Sequence, residues 1–380
     1  MGIIQELRTK EKRTCLYERH ASLRALMSPF AGYLMPIQYS NITDEHIAVR
    51  EHVGLFDVSH MGEVTVGGQD AERYVQHIFT NDIAGAPAGK IYYGMMCYDN
   101  GGTVDDLLVY KLADNDFLLV INAANIDKDW AWMQQQAKGF DIDLQNRSDD
   151  YGQIAIQGPE AEHVVETVLG IPCAGMAFYT CKTVDAAGQS IVSFGQDPLP
   201  ILSRTGYTGE DGFELYASPD AICACWDKLI EAGVTPCGLG CRDTLRFEVG
   251  LPLYGDELSE TITPIMAGLG MFVKLDKSEF IGKEALARQK AEGPARKLVG
   301  IELSDKAIPR HGYTVLNMAG EAIGEVTTGY HTISTDRSVC MALVDAAYAP
   351  LGTEVQIQIR KKVFPGQVVK KQFYNKNYKK

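Results

Sequence analysis

Residues Tyr93 to Tyr110, YGMMCYDNGGTVDDLLVY, decide how this chain is read. Asp99-Asn100-Gly101-Gly102 is a hairpin turn, because Asn-Gly supplies the left-handed backbone angles of a two-residue loop and both flanks have strand composition. With Asn100 and Gly101 as the loop, Met95 stands opposite Asp106 and Tyr93 opposite Leu108. Side chains alternate at period two, so Tyr93, Met95, Asp106, Leu108 and Tyr110 share one face, while Asp105, Leu107 and Val109 share the other. Asp106 therefore lies among aromatic and leucine side chains. A carboxylate there loses hydration, which raises its pKa unless a partner compensates, and such acids gather at functional sites. The plainer alternative makes both aspartates caps on a solvated sheet edge.

Working outward, 380 residues at 46% hydrophobic content can bury large cores and divide into two or three domains. A net charge of -13 excludes a general nucleic-acid binder, which needs a broad basic face. Charge is locally reversed between Arg360 and Lys380, where eight basic residues occur without an acid. That run is either a solvated tail or a docking patch for an acidic partner or polyanionic ligand. Nine cysteines show no zinc spacing: Cys223 and Cys225 lie two apart and Cys237 and Cys241 four apart, with no following histidine at ligand distance. No metal is expected. The odd cysteine count, the charged start MGIIQELRTKEKRTCLYERH and the lack of a bilayer-length apolar run place the chain in a reducing, non-membrane setting. Gly2 lacks the Ser or Thr at position six that myristoylation favours.

Along the chain, short helices are expected at 21–26 and 44–52, then a strand over Phe56 to Val66, FDVSHMGEVTV. A helix over 70–79 precedes the hairpin, and a strand at 117–122 and a helix at 126–137 follow it. The strand 153–157 runs through Gly158-Pro159 into a helix with a first-turn proline, a device repeated at Ser218-Pro219. There Ile222, Cys225, Trp226, Leu229 and Ile230 make an apolar stripe that Gly233 stops. After the helix at 282–289, residues 296–371 are short β-like runs between turns, the pattern of a small all-β barrel or sandwich. A boundary follows near residue 290: an α+β unit over 1–290 and a β unit over 291–380.

Three further segments carry chemistry. In SRTGYTGEDGFEL, 203–215, a phosphate-loop reading fails because Gly-Lys-Ser/Thr is missing and the acids repel phosphate. Glu214, where the chain re-enters a strand, is either a surface acid or a carboxylate able to accept two parallel hydrogen bonds from an amino-pyrimidinone edge. In PCGLGCRDTLRFEVGLPLYG, 236–255, Arg242 falls in the first turn of a helix, where the dipole disfavours a cation. It either pairs with a neighbour such as Asp243 or binds a ligand carboxylate beside free helix N–H groups. Asp57-Val58-Ser59-His60-Met61 resembles a catalytic triad only in composition, since Ser59 and His60 point to opposite faces of a strand; no G-x-S-x-G elbow occurs, so nucleophilic catalysis is set aside.

Taken in order, FDVSHMGE, GGTVDDLLVY, IQGP, RTGYTGEDGFEL, CGLGCRDTLRFEVGLPLYG, FIGKEAL and KKQFYNKNY resemble the aminomethyltransferase, or T-protein, family of the glycine cleavage system, from about Cys15 to Tyr378. The resemblance implies an α+β cloverleaf of two interlocked subdomains around a central folate-binding hole, plus a C-terminal antiparallel β-barrel. It implies ammonia release from an aminomethylated lipoyl carrier protein and transfer of the one-carbon unit to tetrahydrofolate, in the cytoplasm or, in a eukaryote, the mitochondrial matrix. The family's essential aspartate corresponds to Asp106, with Asp105 in reserve. Met61, Tyr93, Leu108, Tyr110 and Asn122 match folate-lining positions, Glu214 the acid that reads the pterin edge with Tyr207 nearby, Arg242 a folate-binding arginine and Tyr378 a contact from the terminal segment. A folate-dependent demethylase on the same scaffold is the nearest rival. The non-enzymatic branch that assists iron–sulfur maturation carries a Lys-Gly-Cys-Tyr motif where this chain reads RDTLRFEVGLPLYG.

Overall fold

A computed structural model describes residues 11–184, 192, 195 and 197–378. The Gly2 site, the first half of the charged start and Lys379 and Lys380 of the basic run lie outside the described residues.

The hairpin is present, and its turn is longer than the Asn-Gly reading expects. Gly101 N donates to Tyr98 O at 2.8 Å and Tyr98 N to Gly102 O at 2.9 Å, so the loop is Asp99, Asn100 and Gly101, with Gly101 at φ +86°. A three-residue loop with glycine in the left-handed region moves the register by one. The extra residue is cancelled a few positions on: Cys97 pairs with Thr103 but Met96 pairs with Asp105, leaving Val104 as a bulge. Beyond it Met95 stands opposite Asp106 and Tyr93 opposite Leu108, the expected register reached by two compensating irregularities. The bulge has a tertiary cause. Thr103 N and Oγ1 donate to Ser259 O at 3.0 Å and Ile262 O at 2.8 Å, and Lys128 Nζ donates to Val104 O, which diverts this stretch from its partner strand.

This hairpin is one edge of a five-stranded antiparallel sheet in the order Ile91–Cys97, Thr103–Ala113, Asp116–Ile121, Gly62–Gly67, Asp143–Asn146. A six-stranded sheet runs Cys181–Thr183, Ile201–Ser203, Gly212–Ala217, Gly152–Gln157, Gly54–Asp57, Thr235–Pro236, antiparallel except for its last pair. The outer face of the first sheet packs on helices Ala71–Ile78 and Ile126–Gln136, and that of the second on Ala161–Val168 and Pro219–Glu231, each forming a core. The inner faces meet through Tyr110, Leu118, Val120, Tyr151, Ile201 and Tyr216.

The two sheets are interlocked at the segment expected to be one strand. Phe56 to Val66 is broken at Val58–Met61: Gly54–Asp57 belongs to the six-stranded sheet and Gly62–Gly67 to the five-stranded one. The break follows from Asp57, whose carboxylate accepts from Ser59 N at 2.9 Å and turns the chain while it also binds Thr14 and His20. Ser59 and His60 therefore lie in a turn, and no Ser–His pair forms; Ser59 Oγ donates to Gln153 O at 3.0 Å. The helix expected at 21–26 also differs. Tyr17–Ser22 is helical, Arg24 at φ +58° ends it, and Leu26–Phe30 is a strand paired with Tyr33–Gln38. The proline at 159 precedes its helix, which begins at Ala161. Pro219 does stand at the first helical position, capped by Ser218.

After helix Lys283–Glu292, strands Arg296–Leu303, Ser338–Asp345, Ala322–His331, Thr314–Leu316, Glu354–Ile359 and Lys362–Val369 close into a six-stranded antiparallel barrel. The basic run is not a loose tail over its described residues: Lys362 opens a barrel strand, Lys371 Nζ donates inward to Ala267 O, and Asn377 N reaches Gly209 O at 2.8 Å. Barrel and sheets are joined by a buried ionic knot. Arg246, 1% exposed, donates to Glu257 at 2.8 Å and Asp243 at 2.7 Å, while Glu257 accepts from the barrel residues Thr327 at 2.6 Å and Thr328 at 2.7 Å. Removing one partner of such a pair leaves the other charge unpaired and buried. Arg246→Leu should cost about 3–5 kcal/mol in urea unfolding; a loss below about 1 kcal/mol, the surface-pair range, would contradict this account.

Candidate active site

The inner face of the hairpin brings Tyr93, Asp106 and Leu108 together, and Asn122 directly follows the neighbouring strand Asp116–Ile121. Asn122 Nδ2 donates to Asp106 Oδ1 at 3.0 Å and Tyr93 Oη donates to Asp106 Oδ2 at 2.9 Å. Both donors are neutral. With burial dominant and the Asp105 charge next in importance, the Asp106 carboxyl is pushed up to about 7, while the Tyr93 and Asn122 hydrogen bonds pull the other way. Asp105 points to the opposite face, is fully buried and accepts from Asn122 N at 3.0 Å, Asn122 Nδ2 at 2.9 Å and Asn125 Nδ2 at 2.7 Å. One asparagine thus clamps two consecutive carboxyl groups, one inward and one outward.

The second sheet supplies the facing wall. Glu214, on Gly212–Ala217, is buried; its Oε2 accepts from Thr205 Oγ1 at 2.5 Å and its Oε1 from Gln153 Nε2 at 3.4 Å. Burial raises its pKa, opposed by the Thr205 hydrogen bond and by the charge of Arg242. Two carboxylate oxygens with one donor each keep lone pairs for further hydrogen bonds. Tyr110 lies between the two sheets beside this wall: it is 0% exposed, its Oη is 2.8 Å from Tyr216 Oη and 3.3 Å from Ser203 Oγ, and Ser203 Oγ is 2.7 Å from Thr205 Oγ1. It therefore supports the donor that holds Glu214.

Arg242 does not pair with Asp243, whose carboxylate binds Arg246 and Tyr330. Its guanidinium stacks 4.9 Å from the Tyr207 ring centroid, and its buried Nη1 has no hydrogen-bond partner among the described residues. Burial lowers its pKa, offset first by Glu214. A desolvated guanidinium nitrogen with a spare donor is suited to an anionic ligand group. Tyr207 Oη donates to Pro252 O, which fixes that ring under the arginine. The frame around both is ionic: Arg204 grips Asp211 through two bonds at 2.9 and 2.6 Å, and Arg50 reaches Glu210 at 3.0 Å, Glu248 at 3.2 Å and the ring of Tyr374 at 4.2 Å. This frame seats the terminal segment, where Tyr378 stacks on Phe178 with centroids 4.2 Å apart. Met61 stands at the crossover between sheets and packs against both inner clusters.

Of the residues singled out from sequence, Met61, Tyr93, Asp106, Leu108, Asn122, Tyr207, Arg242 and Tyr378 are half-buried, as lining residues are, whereas Tyr110 and Glu214 are buried. Sequence reading passed over Thr205, Gln153 and Tyr179. Tyr179 adopts φ +60°, a conformation rare for a non-glycine residue, and its raised pKa reflects burial and then Tyr378, Glu214 and Asp106, so it stands among all three. No residue type marks such a position in advance. Thr205 was legible only as part of the glycine-rich loop.

The Asp106 carboxyl carries a stability signature. Folded, it keeps its proton up to about pH 7, whereas its ordinary value is 3.8. The unfolded chain binds fewer protons between those values, so the contribution is full below the lower one and lost as pH rises through the upper one. Asp106→Asn should therefore raise Tm more at pH 8 than at pH 5; melting curves showing the reverse order would contradict the assignment.

Comparison with known proteins agrees with this architecture. Residues 16–277 match the model for the GCVT N-terminal domain, and residues 296–375 that for the glycine cleavage T-protein C-terminal barrel domain. The chain is 49% identical to an aminomethyltransferase of Lysinibacillus sphaericus, covering 96% of this chain and 98% of that protein. It is 48% identical to one from Alkaliphilus oremlandii, covering 98% of this chain and 100% of that protein. Among solved structures, the glycine cleavage system aminomethyltransferase T of Bartonella henselae superposes with a TM-score of 0.91 at 33% identity, covering 97% of this chain and 99% of that one. The chain belongs to the aminomethyltransferase (glycine cleavage T-protein) family.

Proposed function

We propose that this protein releases ammonia from the aminomethyl group carried on the dihydrolipoyl arm of a glycine cleavage carrier protein and transfers the one-carbon unit to tetrahydrofolate, giving 5,10-methylenetetrahydrofolate. The observation that carries this reading is Asp106: an inward carboxyl held by two neutral donors and no cation, across from Glu214 and an arginine with a spare donor.

The donor set fits tetrahydrofolate. Glu214 has lone pairs for the paired N–H groups of an amino-pyrimidinone edge, Arg242 Nη1 suits a carboxylate, and Tyr93, Leu108 and Met61 offer flat and apolar surface. Bound tetrahydrofolate supplies N5 as the nucleophile. Asp106 acts near its own pKa of about 7, so protonated and ionised forms coexist at neutral pH. The protonated form can give its proton as the amine departs; the ionised form stabilises positive charge growing on the transferred carbon more than water would, because its dipolar surroundings are fixed beforehand. Asn122 and Tyr93 hold the carboxyl in one orientation through both states, and Asp105, secured from behind, keeps the inward proton affinity high.

The test is ammonia release from aminomethylated lipoyl carrier with and without tetrahydrofolate. Strong folate dependence is expected, and its absence in the unmodified protein would overturn the reading. Asp106→Asn should lower folate-dependent release about 100-fold or more, while tetrahydrofolate still binds with a Kd within about tenfold of the original. Full turnover in a folded, folate-binding variant would remove Asp106 from the chemistry.

A further inference from the structure

A third inward acid is not used by the chemistry above. Tyr93 pairs with Leu108, Leu108 with Val120 and Val120 with Glu63, so these four residues form one row across the five-stranded sheet. Residues directly opposite one another in a sheet project on the same side, which puts Glu63 on the inner face with Tyr93 and Leu108. Glu63 is 1% exposed, and among the described residues it forms no ion pair and its Oε2 has no hydrogen-bond partner. Its sheet partner Val120 packs in one inner cluster with Tyr151 and Tyr216, and burial raises the Glu63 carboxyl well above its ordinary value. An acid in such surroundings without a cation keeps its proton and is a donor.

The matching acceptor belongs to the other sheet. Gln153 Nε2 donates to Tyr216 Oη at 2.9 Å and to Glu214 Oε1 at 3.4 Å, which fixes the direction of the amide, yet Gln153 Oε1 has no partner. Glu63 and Gln153 thus belong to the facing inner surfaces of the two sheets around one cluster, that of Val120 and Tyr216, one with a spare donor and the other with a spare acceptor. They make no direct hydrogen bond in the structure. Leaving two polar groups buried and unpaired costs about 1–3 kcal/mol each. A leucine would suit a buried inner-face position beside Val120 better, so packing does not account for the acid.

We propose that Glu63 is a positioning residue for ligand recognition, its proton orienting the Gln153 amide so that Nε2 faces and holds Glu214 for an amino-pyrimidinone edge. This rests on the folate reading above. Tetrahydrofolate binding, followed by fluorescence without carrier protein, is compared for the unmodified chain and for Glu63→Leu, Glu63→Gln and Gln153→Leu. Glu63→Leu should weaken binding about tenfold with Tm equal or higher, since an unpaired acid is replaced by an apolar group. Glu63→Gln, which keeps a neutral donor, should restore affinity to within about threefold, a modest change for a retained hydrogen bond. The double variant Glu63→Leu/Gln153→Leu should bind no worse than Gln153→Leu alone, because both act through one link. Unchanged affinity in Glu63→Leu, parallel loss of Tm and affinity, or additive effects in the double variant would each overturn the proposal. Failure of the unmodified chain to bind tetrahydrofolate would instead overturn the function on which it stands.

Discussion

Everything at the site depends on one extra residue in a strand. If the Asp99–Gly101 loop ran into a regular ladder, its three residues would set Asp105 opposite Met95 and turn Asp105 inward. The bulge at Val104 moves the register back, so Asp106 faces the second sheet and Asp105 the helix behind. That bulge is held from outside the hairpin, by segment 259–262 and by Lys128 from helix Ile126–Gln136. A single irregularity therefore chooses which of two chemically identical neighbours meets a ligand, in keeping with the frequent use of bulges to aim side chains.

Charge is handled differently in the frame and at the site. Around the site, acids are matched by arginines: Asp211 by Arg204, Glu210 and Glu248 by Arg50, Glu257 by Arg246. These pairs join the glycine-rich loop, the helix Leu239–Glu248, the barrel and the terminal segment into one support. Inside, Asp106, Glu214 and Glu63 have only neutral donors or none, and Arg242 has no acid in direct contact among the described residues. Unbalanced groups are tolerated because the support around them does not depend on their charge. They also leave unmatched hydrogen-bonding capacity where a ligand can use it.

The interlocking of the sheets has the same consequence at longer range. Because Gly54–Asp57 and Gly62–Gly67 belong to different sheets, the turn between them, with His60 and Met61, is pinned at both ends. Asp57 secures that turn through Ser59 and ties it to His20 at 2.8 Å, a pair in which His20 and Thr14 hold the carboxylate below its ordinary value against the cost of burial. The inner surfaces are thus set by backbone crossover as much as by packing.

The residues alone determined much of this. Six β-like runs after residue 296 are the six barrel strands, the stripe on Pro219–Glu231 is a core stripe, and alternation in the hairpin separated an inward from an outward aspartate, because local periodicity reports which face is apolar. Glu214 and Arg242 were legible as residues of suspect type in unfavourable positions, yet each retained an ordinary surface explanation. Only the tertiary structure decided between these. It showed that Asp243 is taken by Arg246, leaving Arg242 free of it, that Tyr110 is fully buried between the sheets, and that Phe56–Val66 splits between two sheets. The reason is physical: a hydrogen bond such as Thr103 to Ser259 or Arg50 to Glu210 joins residues more than a hundred positions apart, and no pattern in either stretch encodes its partner.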